Sequence, residues 1–192
     1  LTLEEAKANN RKIVEKIPLI EDQEIKEALN SINDTVYKLP MPYTEFRSKG
    51  WESSYVATSI PGNSYDYATF KNGNMEMQVL IINYGLKEVS IEECFVAGFS
   101  IDPDWYDISG NNNIELAGGL KWMEAKESDI KKAYGAPDYT YSGDIDGVPS
   151  TTMDYADDEL QSGMDFELNA DGVLYCINMA NAAVPEGIQV DA

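Results

Sequence analysis

The dipeptide Asn72-Gly73 constrains the architecture of this chain more than any other two residues. Both central positions of a type I′ turn need positive φ, which Asn and Gly tolerate, and such a turn joins antiparallel neighbours directly. It separates residues 65–71 from residues 74–83, where Met75, Met77, Val79 and Ile81 alternate with Glu76, Gln78 and Leu80. Alternation of period two marks a half-buried strand. Ala170-Asp171-Gly172 sets a second hairpin between residues 164–168 and 173–179. A further strand is expected over residues 91–99, with Gly98 as a candidate bulge. From residue 39 onward the chain therefore reads as antiparallel sheet.

Helical patterns are shorter and sit elsewhere. Thr2-Leu3-Glu4-Glu5 has the form of a capping box, followed by apolar residues at Leu3, Ala6, Ile13, Val14 and Ile17 up to Pro18. Ile25, Ala28, Leu29, Ile32 and Val36 repeat the helical spacing and end at Pro40. Residues 1–38 are accordingly expected to be an N-terminal helical segment, a packed hairpin or a stalk. Leu39-Pro40-Met41-Pro42 leads into a short helix that ends at Gly50-Trp51. Ser128 caps a second short helix with Ile130, Ala133 and Tyr134 inward, terminated by Gly135.

Each short helix is followed by strands, a glycine-centred hairpin and a long strand holding one cysteine. The second half thus replays the first. The expectation is an α+β fold of tandem short-helix-on-antiparallel-sheet repeats, covering residues 39–111 and 112–192, preceded by the N-terminal helical segment.

Charge narrows function. The chain carries 14 Lys and Arg against 34 Asp and Glu, a net charge of −20. No basic residue follows Lys132, whereas twelve carboxylates lie between Asp138 and Asp191. Such a surface repels phosphate backbones and anionic headgroups and attracts cations or basic proteins. Apolar runs such as Val79-Leu80-Ile81-Ile82 are strand-sized, so this segment has no stretch of the roughly 18 residues needed to enter a bilayer as a helix. Histidine is absent, which removes imidazole-based triads, general bases and zinc ligands. No cofactor motif is present.

The stretch Ser128-Asp129-Ile130-Lys131-Lys132-Ala133-Tyr134-Gly135-Ala136-Pro137-Asp138 resembles the start of small tandem domains related to the β-lactamase-inhibitor protein and the outer-membrane assembly lipoproteins. The Leu39-Pro40-Met41, Phe46 and Gly50-Trp51 stretch is similar to one found in secreted or lipid-anchored Firmicutes proteins of unknown function. The resemblance spans roughly residues 39–180 and implies a helix on an antiparallel sheet, twice over. It also implies a place outside a Gram-positive cell, secreted or anchored at the surface through a segment upstream of Leu1. It carries over no catalytic or binding residue.

Candidate sites are few. Asp102, Asp104 and Asp107 invite a calcium reading, yet an EF-hand loop needs ligands at alternating positions, a sixth-position Gly and a twelfth-position Glu. Here Tyr106 and Asp107 fill the fifth and sixth positions, so an irregular acidic loop is the expectation. Asp144-Ile145-Asp146-Gly147 reads as a turn. Cys94 and Cys176 occupy comparable points in the two halves, and either one bridge or two buried thiols fits, the latter being expected. Tyr139 and Tyr141, like Tyr65 and Tyr67, share one face of a strand, which suits stacking on sugars or peptides; packing under a helix is the expected alternative. Trp105 and Tyr106 lie in an acidic loop and are the best pair for an exposed contact.

Together these features point to a non-enzymatic extracytoplasmic module that binds a protein or peptide partner, of basic character, through a sheet face. A carbohydrate- or wall-polymer-binding module is the neighbouring reading. A carboxylate-based glycoside hydrolase, needing two carboxyls about 5–9.5 Å apart, is the rival from another class.

Overall fold

The computed structural model describes residues 30–110, 112–155, 163–182 and 184–188. In chain order, β1 (Asn30–Ile32), β2 (Thr35–Tyr37) and β3 (Met41–Pro42) precede helix α1 (Tyr43–Ser48). Then come β4 (Ser59–Ile60), β5 (Ser64–Asn72), β6 (Met75–Asn83), β7 (Val89–Ser90), a 3₁₀ turn (Ile91–Glu93) and β8 (Phe95–Ile101). The second half has β9 (Ile114–Leu116), β10 (Leu120–Lys121) and helix α2 (Glu127–Tyr134). It closes with β11 (Tyr139–Ile145), β12 (Val148–Asp154), β13 (Gly163–Leu168) and β14 (Leu174–Ala180). The protein is a sheet-rich α+β fold.

An eight-stranded antiparallel sheet, ordered β11-β12-β13-β14-β8-β6-β5 with β3 also paired to β8, forms the main layer. Its seam is β14 on β8, from Ile177 opposite Ile101 to Ala180 opposite Gly98. A four-stranded sheet, β10-β9-β1-β2, and both helices lie over one face. Between these layers sits a continuous core, in which Ile32, Tyr37, Ile114 and Leu116 from the small sheet join Met77, Val79, Phe166 and Ile177 from the large one.

Each helix delivers aromatics to that core. Phe46 stacks on Trp51 at 5.6 Å and meets Phe70 edge-on at 5.2 Å. In the second half Tyr134 stacks on Phe166 at 5.6 Å, with Tyr155 edge-on to both. Burying one such side chain contributes about 1.5–3 kcal/mol, which offsets the weak intrinsic stability of helices this short.

Three local expectations change. Residues 30–37 form a β-hairpin rather than the end of a helix, with Asn33 and Asp34 at φ 50° and 64° as a type I′ turn. Pairing of β1 with β9 outweighs the helical spacing: Ile32 is buried, while Val36 is 49% exposed. The proposed helical boundary at residue 38 therefore falls after a hairpin, and residues 1–29 lie outside the described residues. The strand expected over 91–99 begins with a 3₁₀ turn whose Ser90 hydroxyl accepts from Glu92 N. Gly98 is not itself the bulge; the register shifts between Leu80↔Gly98 and Ile81↔Val96, leaving Ala97 as the extra residue.

Turn chemistry differs in detail too. The register pairs Asn72 with Met75, so Gly73-Asn74 are the central residues, and only Gly73 has positive φ, which makes the turn type II′. Asp146-Gly147, both at positive φ, form a type I′ turn between β11 and β12. The last hairpin is organised by Asn169, whose Oδ1 accepts from Asp171 N and Val173 N. Ser128 does not cap α2; Asp129 does, accepting from Lys126 N at 2.9 Å, and Gly135 ends the helix at φ 83°.

Candidate functional site

Side chains alternate across a strand, so the face of the large sheet turned away from the core can be read from its registers. One row runs Tyr139, Asp154, Asp165, Asn178, Ser100, Gln78 and Thr69 across all seven strands. The row on one side runs Tyr141, Thr152, Glu167 and Cys176 and ends at Asp102, just beyond β8. The row on the other side runs Gly163, Ala180, Gly98, Leu80 and Tyr67. The face is thus polar along its centre and acidic on the β12–β13 side.

Tyrosines stand at both edges. Tyr139 and Tyr141 on β11 are 63% and 52% exposed, and Tyr65 and Tyr67 on β5 are 39% and 40% exposed. Tyr65 and Tyr67 meet edge-on at 5.8 Å. Their expected place under a helix is wrong, because α1, α2 and the small sheet cover the opposite face. Tyr67 instead lines a depression of about 230 Å³ together with Gln78, Ser100, Asp154, Asp165 and Asn178, while Tyr139 and Tyr141 stand on the far edge strand outside it.

The apolar end of this face is covered by the chain itself. Leu80, Ile82, Tyr84 and Ala97 form a second cluster with Ala182, against which Val184 and Ile188 pack. Asn181 holds the segment in place, donating from its backbone to Ala97 O at 2.7 Å and from Nδ2 to Leu39 O at 3.0 Å. Among the described residues, this segment packs on the apolar end and not on the polar row.

The acidic loop borders the same face without forming a cage. The Asp102 carbonyl accepts from Tyr106 N at 2.9 Å, and Asp102 Oδ1 accepts from Asp104 N at 2.9 Å. Asp104 Oδ1 accepts from the Tyr175 hydroxyl at 2.8 Å, which ties the loop to β14. Asp107 points elsewhere: its Oδ1 accepts from Ser109 N at 3.1 Å, and its carbonyl accepts from Glu76 N at 2.7 Å. The three aspartates do not converge. Among the described residues no group of three metal-ligating side chains gathers at one point. The turn leaves Trp105 81% exposed, whereas Tyr106 is half-buried.

Electrostatics follow the crowding of carboxylates. Partial burial, then Asp102, Asp104 and Asp165, raise the Glu167 pKa above the ordinary carboxylate range. Cys176, buried beside Asp102 and Glu167, has its thiol pKa raised by burial first and by those carboxylates next. Cys94 is pushed up to about 11 by burial and by Glu93. Both cysteines are buried free thiols.

Of the residues singled out in sequence, Tyr139 and Tyr141 share the open face and Asp102 and Asp104 border it, while Asp107 and Cys94 lie off it. Sequence reasoning missed Gln78, Ser100, Asp154, Asp165, Glu167 and Asn178. The alternation of Asp165 and Glu167 with the buried Met164, Phe166 and Leu168 was the available signal. Comparisons with protein-family models, curated proteins and solved structures find no match.

Proposed function

We propose that this protein is a non-enzymatic, extracytoplasmic interaction module that binds a protein or peptide through the tyrosine-rimmed face of its large sheet. The single observation that carries the reading is that face: among the described residues both helices and the small sheet lie over one face of the large sheet, and tyrosines stand at both edges of the other. Tyrosine is enriched in interfaces because it offers large, rigid contact area with a polar tip. The absence of histidine and the acidic field agree with binding rather than with imidazole chemistry or nucleic-acid contact.

A tandem organisation supports the same reading. Outward from the seam the strand order is β14, β13, β12 on one side and β8, β6, β5 on the other, the last three long strands of each half in reverse chain order. Each half also sets a short helix with one aromatic stacked below it. Two units joined at their last strands give a sheet broad enough for a macromolecular partner. With neighbouring strands about 4.8 Å apart, the face spans about 29 Å from β11 to β5.

Affinity capture from a cell-surface extract tests the proposal. Wild type is compared with a triple variant, Tyr67→Ser, Tyr139→Ser and Tyr141→Ser, and with a control at Val36→Ser in β2. The proposal expects a polypeptide that the control retains and the triple variant loses, while all three proteins keep the same far-UV spectrum. Retention by the triple variant, or capture of wall polymer alone, would overturn it.

A further inference from the structure

Resting on that peptide-binding reading, we infer that the partner docks by strand addition: an extended, uncharged segment of a different polypeptide pairs with the outer edge of β11 as a further strand of the large sheet. The sheet ends at β5 on one side and at β11 on the other, and the two edges differ. A two-residue turn closes on a hydrogen-bonded pair, and such pairs then alternate along the hairpin. For β5 and β6 the closing pair is Asn72 and Met75, so Tyr67, Thr69 and Lys71 turn their backbone groups outward. The chain meets those groups itself. Lys71 N donates to Glu52 O at 2.7 Å, and Lys71 O accepts from Glu52 N at 2.9 Å. Thr69 O accepts from Ser53 Oγ at 2.7 Å, and Tyr67 N donates to Asp66 Oδ1 at 2.9 Å. In β11 and β12 the closing pair is Ile145 and Val148, so Thr140, Ser142 and Asp144 turn their backbone groups outward. Among the described residues β12 is the only strand that β11 pairs with.

The character of β11 says what fits there. Donors and acceptors spaced along an extended strand match another extended backbone, which is the basis of strand addition at sheet edges. Sheets guard an exposed edge with Lys, Pro, a bulge or sheer brevity. The outer strands of the small sheet, β2 and β10, are three and two residues long. By contrast β11 runs for seven residues in unbroken register with β12, and Tyr139-Thr140-Tyr141-Ser142-Gly143 holds no charge and no proline. Thr140 and Ser142 are exposed on one face of the strand and Tyr139 and Tyr141 on the other, so an added strand finds room on both sides. Its alternate side chains would stand beside Tyr139 and Tyr141, where β-branched and aromatic residues make favourable cross-strand pairs. An uncharged strand selects an uncharged neighbour. A second copy of this chain carries the same edge, but a net charge of −20 on each molecule opposes that association.

The test is an NMR titration of the full chain with a capped heptapeptide alternating Thr and Val, and in parallel with heptaproline, which has no peptide N–H. Both are repeated on Thr140→Pro, because an outward position on an edge strand accepts proline without losing a ladder bond. The expected result is that the Thr–Val peptide shifts the amides of Thr140, Ser142 and Asp144 in wild type and shows cross-strand contacts to them, with little dependence on salt. Thr140→Pro then weakens binding at least about tenfold, while the far-UV spectrum and the contacts between Tyr141 and Thr152 persist. Ser142→Lys, which sets a guarding charge on the same edge, lowers affinity in the same direction and serves where the proline disturbs the hairpin. Heptaproline binding at Tyr139 and Tyr141 as tightly as the Thr–Val peptide, with Thr140→Pro having no effect, would overturn strand addition and leave the tyrosine-bearing face standing. A concentration-dependent dimer that Thr140→Pro disperses would make a second copy the occupant and sink the inference of a different partner. If neither peptide shifts β11 or the face, both readings fall.

Discussion

Gly98 sits at the seam between the two halves, and replacing it by Ala reverses the usual sign of a glycine substitution. In a strand, Gly→Ala ordinarily stabilises by about 0.4–1 kcal/mol, because the unfolded chain loses freedom. At Gly98 an added Cβ would lie 2.8 Å from the Met179 carbonyl oxygen and 3.1 Å from Ala180 Cβ. The oxygen belongs to the backbone of β14, so relief requires β14 to move away from β8. Overpacking of this kind costs about 1–3 kcal/mol, leaving a net loss of about 1–2 kcal/mol after the entropic gain. For a chain of this size each kcal/mol lowers Tm by about 2–4 °C. Urea denaturation of Gly98→Ala should therefore show a lower midpoint with an unchanged slope. Adding Ala180→Gly should recover part of the loss by removing one of the two close contacts. A Gly98→Ala protein as stable as wild type, or more so, would refute the close approach of the two strands at the seam.

Other consequences follow from buried polar groups. Trp51 Nε1 donates to the Tyr37 hydroxyl at 2.8 Å inside the core, so Tyr37→Phe should cost about 1–3 kcal/mol in denaturant titrations by stranding the indole N–H. Glu167 holds protons more tightly folded than unfolded, so its contribution to stability worsens as pH rises through that window and vanishes below the ordinary carboxylate range. Glu167→Gln should accordingly raise Tm at neutral pH and leave it unchanged under acid conditions. The native thiols should resist modification at neutral pH, since burial holds both pKa values up, and titration after non-reducing denaturation should recover two. Recovery of none from a monomer would show a bridge.

The hairpins were legible because their signals are local. Gly73, Asp146-Gly147 and Gly172 each take the positive φ that their turns need. Alternation in β6 and β13 likewise predicts which residues enter the core. The β1–β2 hairpin was not legible, because Ile32 and Val36 satisfy helical spacing and only the distant pairing of β1 with β9 selects the strand. The open face was half legible. The pairing of Tyr139 with Tyr141 on one face follows from period two, but which face the helices cover is decided by the small sheet, assembled from residues about 80 positions apart. The row from Asp154 to Gln78 depends on four strand registers, none of which is written in any one segment.

The claim that the open sheet face is the docking surface is tested most directly by hydroxyl-radical footprinting of the free protein and of its complex with the captured partner. Binding should suppress oxidation of Tyr65, Tyr67, Tyr139 and Tyr141 while leaving Val36 and Met123, exposed away from that face, as reactive as before. Protection of Val36 or Met123 with all four tyrosines still oxidised would contradict it.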